Sequence, residues 1–147
     1  MFAWLEARAH CHATEDEDKV ARSIKFLCPQ IDVALAKTEG YYRNPILVLT
    51  ARTDRQRLIR EFWRSLESHG LTEGILSTGR KMIDEEWIMH LRFGKQEAFG
   101  GRAVLVNQED AVSVRLKIAR QPPRNRDALE VARQSIEELT EEHVSHT

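Results

Sequence analysis

Apolar and polar residues alternate over residues 2–14. Ala3, Leu5, Ala7, Ala9, Cys11 and Ala13 fall on one side, and Phe2, Trp4, Glu6, Arg8, His10 and His12 on the other. A period of two marks a strand, because successive side chains leave opposite faces of the pleat. The apolar side is built mostly of small residues, which predicts a central strand with a helix lying close against it. Thr14 followed by Glu17 reads as a capping box with Thr14 as the N-cap. It predicts a helix over residues 15–27 with Val20, Ile24 and Leu27 inward, ended by Pro29.

Residues 31–38 and 46–52 are rich in β-branched and apolar residues and predict two strands. They are joined by Gly40-Tyr41-Tyr42-Arg43-Asn44-Pro45, whose Gly, Asn and Pro are turn residues. A helix follows over 54–69, with Leu58, Ile59, Phe62 and Leu66 as its core stripe, Arg57, Arg60 and Arg64 nearly opposite, and Gly70 as its stop. Residues 71–83 fit a short helix and a loop. Trp87, Met89, Leu91 and Phe93 alternate again, as do Val112, Val114, Leu116 and Ile118, and residues 102–106 predict a further short strand between them. A last helix, over 125–142, turns Leu129, Ala132, Ile136 and Leu139 inward.

The expected order is β-α-β-β-α-(α)-β-β-β-α in one domain spanning 1–147. Runs of adjacent strands indicate an α+β fold, a largely antiparallel sheet with helices packed on one face. A chain of 147 residues buries enough surface to need no disulfide or metal staple. Cys11 and Cys28 form no CxxC pair and are read as reduced thiols. With no signal-peptide pattern and no apolar run long enough to span a bilayer, the expected location is cytoplasmic, away from membranes.

Charge changes the picture. The total is -1, but residues 1–51 carry -1, residues 52–126 carry +5 and residues 127–147 carry -5. A basic middle and an acidic last helix are hidden in a neutral sum. Alternation sends Arg8, His10 and His12, His90 and Arg92, and Ser113, Arg115 and Lys117 to the outer side of their strands, where the only acids are Glu6 and Glu86. A sheet face with helices behind and cations in front suits a phosphate backbone. A solvated sheet face also carries charge without any ligand. Tyr41, Tyr42 and Arg43 could stack unpaired bases in their turn.

Other chemistry finds less support. His10 and His12 share one strand face and His90 could join them, but Cys11 points the other way and no carboxylate stands at matching spacing, so no metal and no cofactor are expected. The same histidines could serve a metal-free ribonuclease as acid and base, yet nothing fixes the geometry, and the expectation is a protein that is not an enzyme. No GxxxxGK[ST], GxGxxG or GxSxG motif is present. A second class of function is a protein-interaction module or homodimer anchored by Phe2, Trp4 and Trp63.

His12-Ala13-Thr14-Glu15-Asp16 with Lys19-Val20, Glu39-Gly40-Tyr41-Tyr42-Arg43-Asn44-Pro45-Ile46, and Leu91-Arg92 before Lys95-Gln96 with Ala98 and Gly100-Gly101 occur in this order. Together they resemble an archaeal RNA-binding protein family labelled a predicted exosome subunit. The resemblance covers nearly the whole chain. It implies a fold similar to the large-subunit ribosomal protein that carries 5S RNA. It also implies RNA as a partner, with RNA-processing proteins beside it, and brings Lys95 among the candidate RNA contacts.

Overall fold

The computed structural model describes residues 1–39, 45–120 and 126–145. Its elements are β1 (Phe2–Cys11), α1 (Glu17–Leu27), β2 (Val33–Glu39), β3 (Pro45–Thr53), α2 (Gln56–Ser68), α3 (Thr72–Ser77), α4 (Gly79–Met82), β4 (Ile88–Phe93), α5 (Lys95–Phe99), β5 (Val112–Ile118) and α6 (Ala128–Ser145). The five strands form one antiparallel sheet in the order β2-β3-β1-β5-β4. This is the expected α+β architecture. No described helix is long and apolar enough to cross a membrane.

Register carries the alternation of β1 across the whole sheet. Ala7 stands opposite Ala51 on β3, which pairs Val33 on β2; on its other side it meets Val114, which pairs Leu91. Leu5, Ala7 and Ala9 are fully buried and Cys11 nearly so. The small side chains let α1 approach β1, bringing Val20, Ile24 and Leu27 into the core. Helix α2 adds Ile59, Phe62, Trp63 and Leu66 and packs against α6, which adds Val131, Ala132 and Ile136. Both cysteines are free and buried, and burial alone pushes the Cys28 thiol up to about 12.

Four local details differ from expectation. The cap of α1 is Asp16, whose carboxylate accepts the Asp18 amide at 2.9 Å; Thr14 lies in the preceding turn. Residues 102–106 form no paired strand. Leu105 makes a single bridge to Phe93, flanked by Gly94 N–H to the Val104 carbonyl and Val106 N–H to the Arg92 carbonyl, each at 3.0 Å. The short helix α5 occupies 95–99 instead. Trp87, expected as the first inward residue of its strand, sits in the turn before β4 at φ +65°. Asp84 shapes that turn, its carboxylate accepting the amides of Glu86 and Ile88.

The fourth difference is at the start of β1. A register shift between Phe2 and Trp4 breaks the period of two, as a bulge does. Phe2 therefore turns inward, fully buried, and stacks on Trp63 with ring centroids 5.4 Å apart. Its carbonyl accepts from Gln56 Nε2 at 2.7 Å, tying the strand to the first turn of α2. Phe2 and Trp63 are thus core residues, which removes two of the three side chains expected to anchor a protein partner. Gly70, at φ +73°, closes α2 as expected.

The two neighbouring aromatics give a test of the bulge. Phe2→Ala should cost about 3–5 kcal/mol in urea unfolding, the range for an emptied aromatic core position. Trp4→Ala should cost about 1 kcal/mol, the scale of exposed cation–π contacts. Equal losses would mean that both rings belong to the core.

Candidate nucleic-acid interface

The helices cover one side of the sheet and leave the other open. On the open side the side chains form cross-strand rows. One row runs Ala34, Thr50, Arg8, Ser113, Arg92 from β2 to β4. It contains no acid. Arg8 and Arg92 are both exposed, and neither has a hydrogen-bond or ion-pair partner among the described residues. His10, exposed one row further on, stands opposite Val48.

The adjacent row runs Arg52, Glu6, Arg115, His90. Glu6 is 7% exposed although it lies on the open face. Its two carboxylate oxygens are divided between neighbours: Arg115 Nη2 donates to one at 2.7 Å and Arg52 Nη1 to the other at 3.1 Å. Burial alone would raise its pKa. The bond and charge of Arg115, with Arg52 and the nearby charge of Arg8, outweigh that and hold the carboxyl below its ordinary 4.5. Both guanidinium groups also lie against the Trp4 ring, with Arg52 Cζ 4.4 Å and Arg115 Cζ 5.6 Å from its centroid. At the end of this face Lys117 donates to the Glu86 carbonyl, and His90 Nε2 meets Asp84 Oδ2 at 2.8 Å.

A second cluster lies beyond the end of β1. Lys95, the first residue of α5, is 9% exposed. Its amine donates to the His10 carbonyl at 3.0 Å and meets Glu15 at 2.9 Å and Asp110 at 2.8 Å. Desolvation would lower its pKa, but the two carboxylates more than reverse that and raise it. His12 Nε2 is 3.5 Å from Asp110, and His12, Glu15 and Asp110 bring ligand atoms within 4.8 Å of one another. The expectation that no carboxylate accompanies the histidines is therefore corrected. The ammonium of Lys95 stands beside both acids, where an added cation would have to displace it.

Residues 4–118, which include both clusters, match a family model described as RNA binding. The chain belongs to that RNA-binding family. It is 30% identical over 142 residues to "RNA-binding protein PAB1135" of Pyrococcus abyssi, covering 90% of this chain and 92% of that protein. Its structure is similar to that of protein AF2318 from Archaeoglobus fulgidus, with a TM-score of 0.81, 32% identity, and 92% and 99% of the two chains covered. It is also similar to Mth689, a DUF54 protein from Methanothermobacter thermautotrophicus, with a TM-score of 0.78, 29% identity, and 92% and 98% covered.

Against this family background the expected RNA contacts separate into groups. Arg8, His10, Arg92, Arg115, Lys117 and His90 share the open face, but Arg115, Lys117 and His90 already hold internal partners. His12 lies at the end of β1 with Asp110, and Lys95 is turned inward as the counter-charge of two acids, a structural place rather than a surface one. Tyr41, Tyr42 and Arg43 lie outside the described residues. Arg52 joins the face without having been singled out. Its signal was present in residues 46–52, where Leu49 and Ala51 are buried and so direct Thr50 and Arg52 outward. Asp110 and Glu15 could not be found that way, because they reach Lys95 and His12 from separate loops.

Glu6 supplies a pH test. Its folded-state pKa lies below the ordinary 4.5. The stabilisation it gives is therefore complete above that value and is lost as pH falls through the folded-state pKa. Glu6→Gln should cost about 1–3 kcal/mol near neutrality, the scale of hydrogen bonds to charged groups. The difference from the unaltered protein should shrink towards zero in an acid titration followed by circular dichroism. A difference that persists unchanged to low pH would assign Glu6 no ionic role.

Proposed function

We propose that this chain is a non-catalytic RNA-binding protein that meets the phosphate backbone with the helix-free face of its sheet. The observation that carries the reading is the acid-free row holding Arg8 and Arg92. Both guanidinium groups are exposed and have no hydrogen-bond or ion-pair partner among the described residues. Elsewhere on the face Glu6 is shared between Arg52 and Arg115 and Asp84 meets His90, whereas the Arg8 and Arg92 guanidinium groups are left without such partners. Such cations are what phosphate contacts require, and they position nucleic acid without reading its sequence. Membership of the RNA-binding family and the printed name of the Pyrococcus relative support the same partner. His10 adds a hydrogen-bonding group beside the row. A role beside RNA-processing proteins, including an exosome-like complex, is a further proposal that rests on the resemblance read from the sequence.

The helix-side arginines provide the contrast. Arg57 donates to Gln30 and Arg64 pairs with Glu61 on α2, on the layer behind the sheet. Each phosphate contact steepens the fall of affinity with salt by roughly 0.7–0.9 log units per log unit of salt. Arg8→Gln with Arg92→Gln should therefore flatten the slope by roughly 1.4–1.8 in filter binding or gel shift. Arg57, Arg60 and Arg64 changed together to glutamine should leave the slope in place. If only the helix set flattens it, the RNA lies on the other side of the molecule. If the unaltered protein binds no RNA at low salt, the protein-interaction reading replaces this one.

A further inference from the structure

We propose that the open face holds a base-stacking subsite built from Trp4, Arg52, Arg115 and Glu6, and that the nucleic acid it takes is therefore unpaired. This deepens the phosphate-binding reading above and rests on it. Trp4 is a large aromatic that the fold does not use for its core. The bulge after Phe2 puts Phe2 among the buried rings and leaves Trp4 half-buried on the helix-free side, where the described ring contacts are the two guanidinium groups.

The guanidinium groups are held for stacking more than for phosphate. Each is fastened to a different oxygen of Glu6, and that one carboxylate cancels one of the two charges. Such a tether removes much of the freedom a long side chain would otherwise lose on binding a ligand. Arg52 keeps half its side chain exposed, at 52%, although its head is fixed. A planar cation clamped over an indole, with solvent above it, can extend the stack with a base, since guanidinium planes and aromatic rings both serve as base platforms. The face thus divides in two. The Trp4 end carries planar groups with half of their charge cancelled, and the Arg8–Arg92 row carries cations that make no hydrogen bond or ion pair with an acid among the described residues. Trp4 and Arg8 are separated by about 13 Å along β1, so one strand of nucleic acid could lay a base on the first while its backbone crosses the second. A duplex keeps its bases inside its own stack and could use only the cationic row.

The test uses the whole protein with a twelve-nucleotide single-stranded RNA and a duplex of the same length. The single strand should bind more tightly and quench tryptophan fluorescence. Trp63 is fully buried and Trp87 only partly so; in a Trp87→Phe background, therefore, the quenching should disappear on Trp4→Phe while the affinity largely remains. Trp4→Ala should weaken single-strand binding by roughly 5- to 150-fold, the measured scale of one base–aromatic stack, and should narrow the gap between single strand and duplex. Circular dichroism establishes that both variants are folded. Single-strand affinity unchanged in Trp4→Ala, with the salt slope still dependent on Arg8 and Arg92, overturns the stacking subsite and leaves the phosphate reading standing. Equal losses for single strand and duplex overturn it as well, since they mark Trp4 as a support of the face rather than a base contact. Absence of any RNA binding by the unaltered protein removes both readings.

Discussion

The pairing of β1 on both of its edges is the constraint from which the rest of this molecule follows. A strand bonded to β3 on one side and β5 on the other cannot slip by one residue without turning its buried alanines into water. Its small inward residues set how close α1 can come. Its outward residues are delivered to the centre of the open face by the same alternation. The core and the candidate interface are therefore two consequences of one register, and neither could be moved independently of the other.

Two side chains with little exposure, Glu6 and Lys95, then sort the remaining charges. Glu6 sits midway along β1 and Lys95 beyond its end, and each gathers groups of opposite sign from other elements: Arg52 and Arg115 around Glu6, Glu15 and Asp110 around Lys95. Because their partners are partly solvated, neither cluster suffers the full penalty of an isolated buried ion. Their effect is chiefly selective. Cations near a cluster are held in place, while Arg8 and Arg92 face outward with no hydrogen-bond or ion-pair partner among the described residues.

The architecture was legible because it rests on periodicity. The strands, the long helices and the division between inward and outward residues come from patterns of two and of about 3.6 residues, and these are local. What was hidden is non-local or aperiodic. The bulge that turns Phe2 inward leaves no mark on composition. The capping role of Asp16, in place of Thr14, depends on backbone angles that several acceptors in that turn could satisfy. Helix α5 spans only 95–99 and is too short for its period to register. Lys95 reads as a surface residue until the register of β1 and two loops surround it with acids. The candidate site was legible to the same extent. The strand-borne cations were visible, while the tethering of Arg52 and Arg115 by a shared carboxylate needed the cross-strand neighbours to be known.

The two borders of the sheet are unlike. Along β4, residues 83–84 and 104–106 bond to the outer side of the strand near both of its ends. At β2 no further described strand follows, and Leu35 is 54% exposed. Among the described residues the sheet is thus finished on one side and open on the other, and such a sheet behaves like a chain terminator when identical molecules meet edge to edge. Two copies can join through β2, each then presenting only its finished border, and growth stops there. Fibrous self-association through backbone pairing is thus disfavoured by geometry, beside the Lys37 and Glu39 charges that β2 carries.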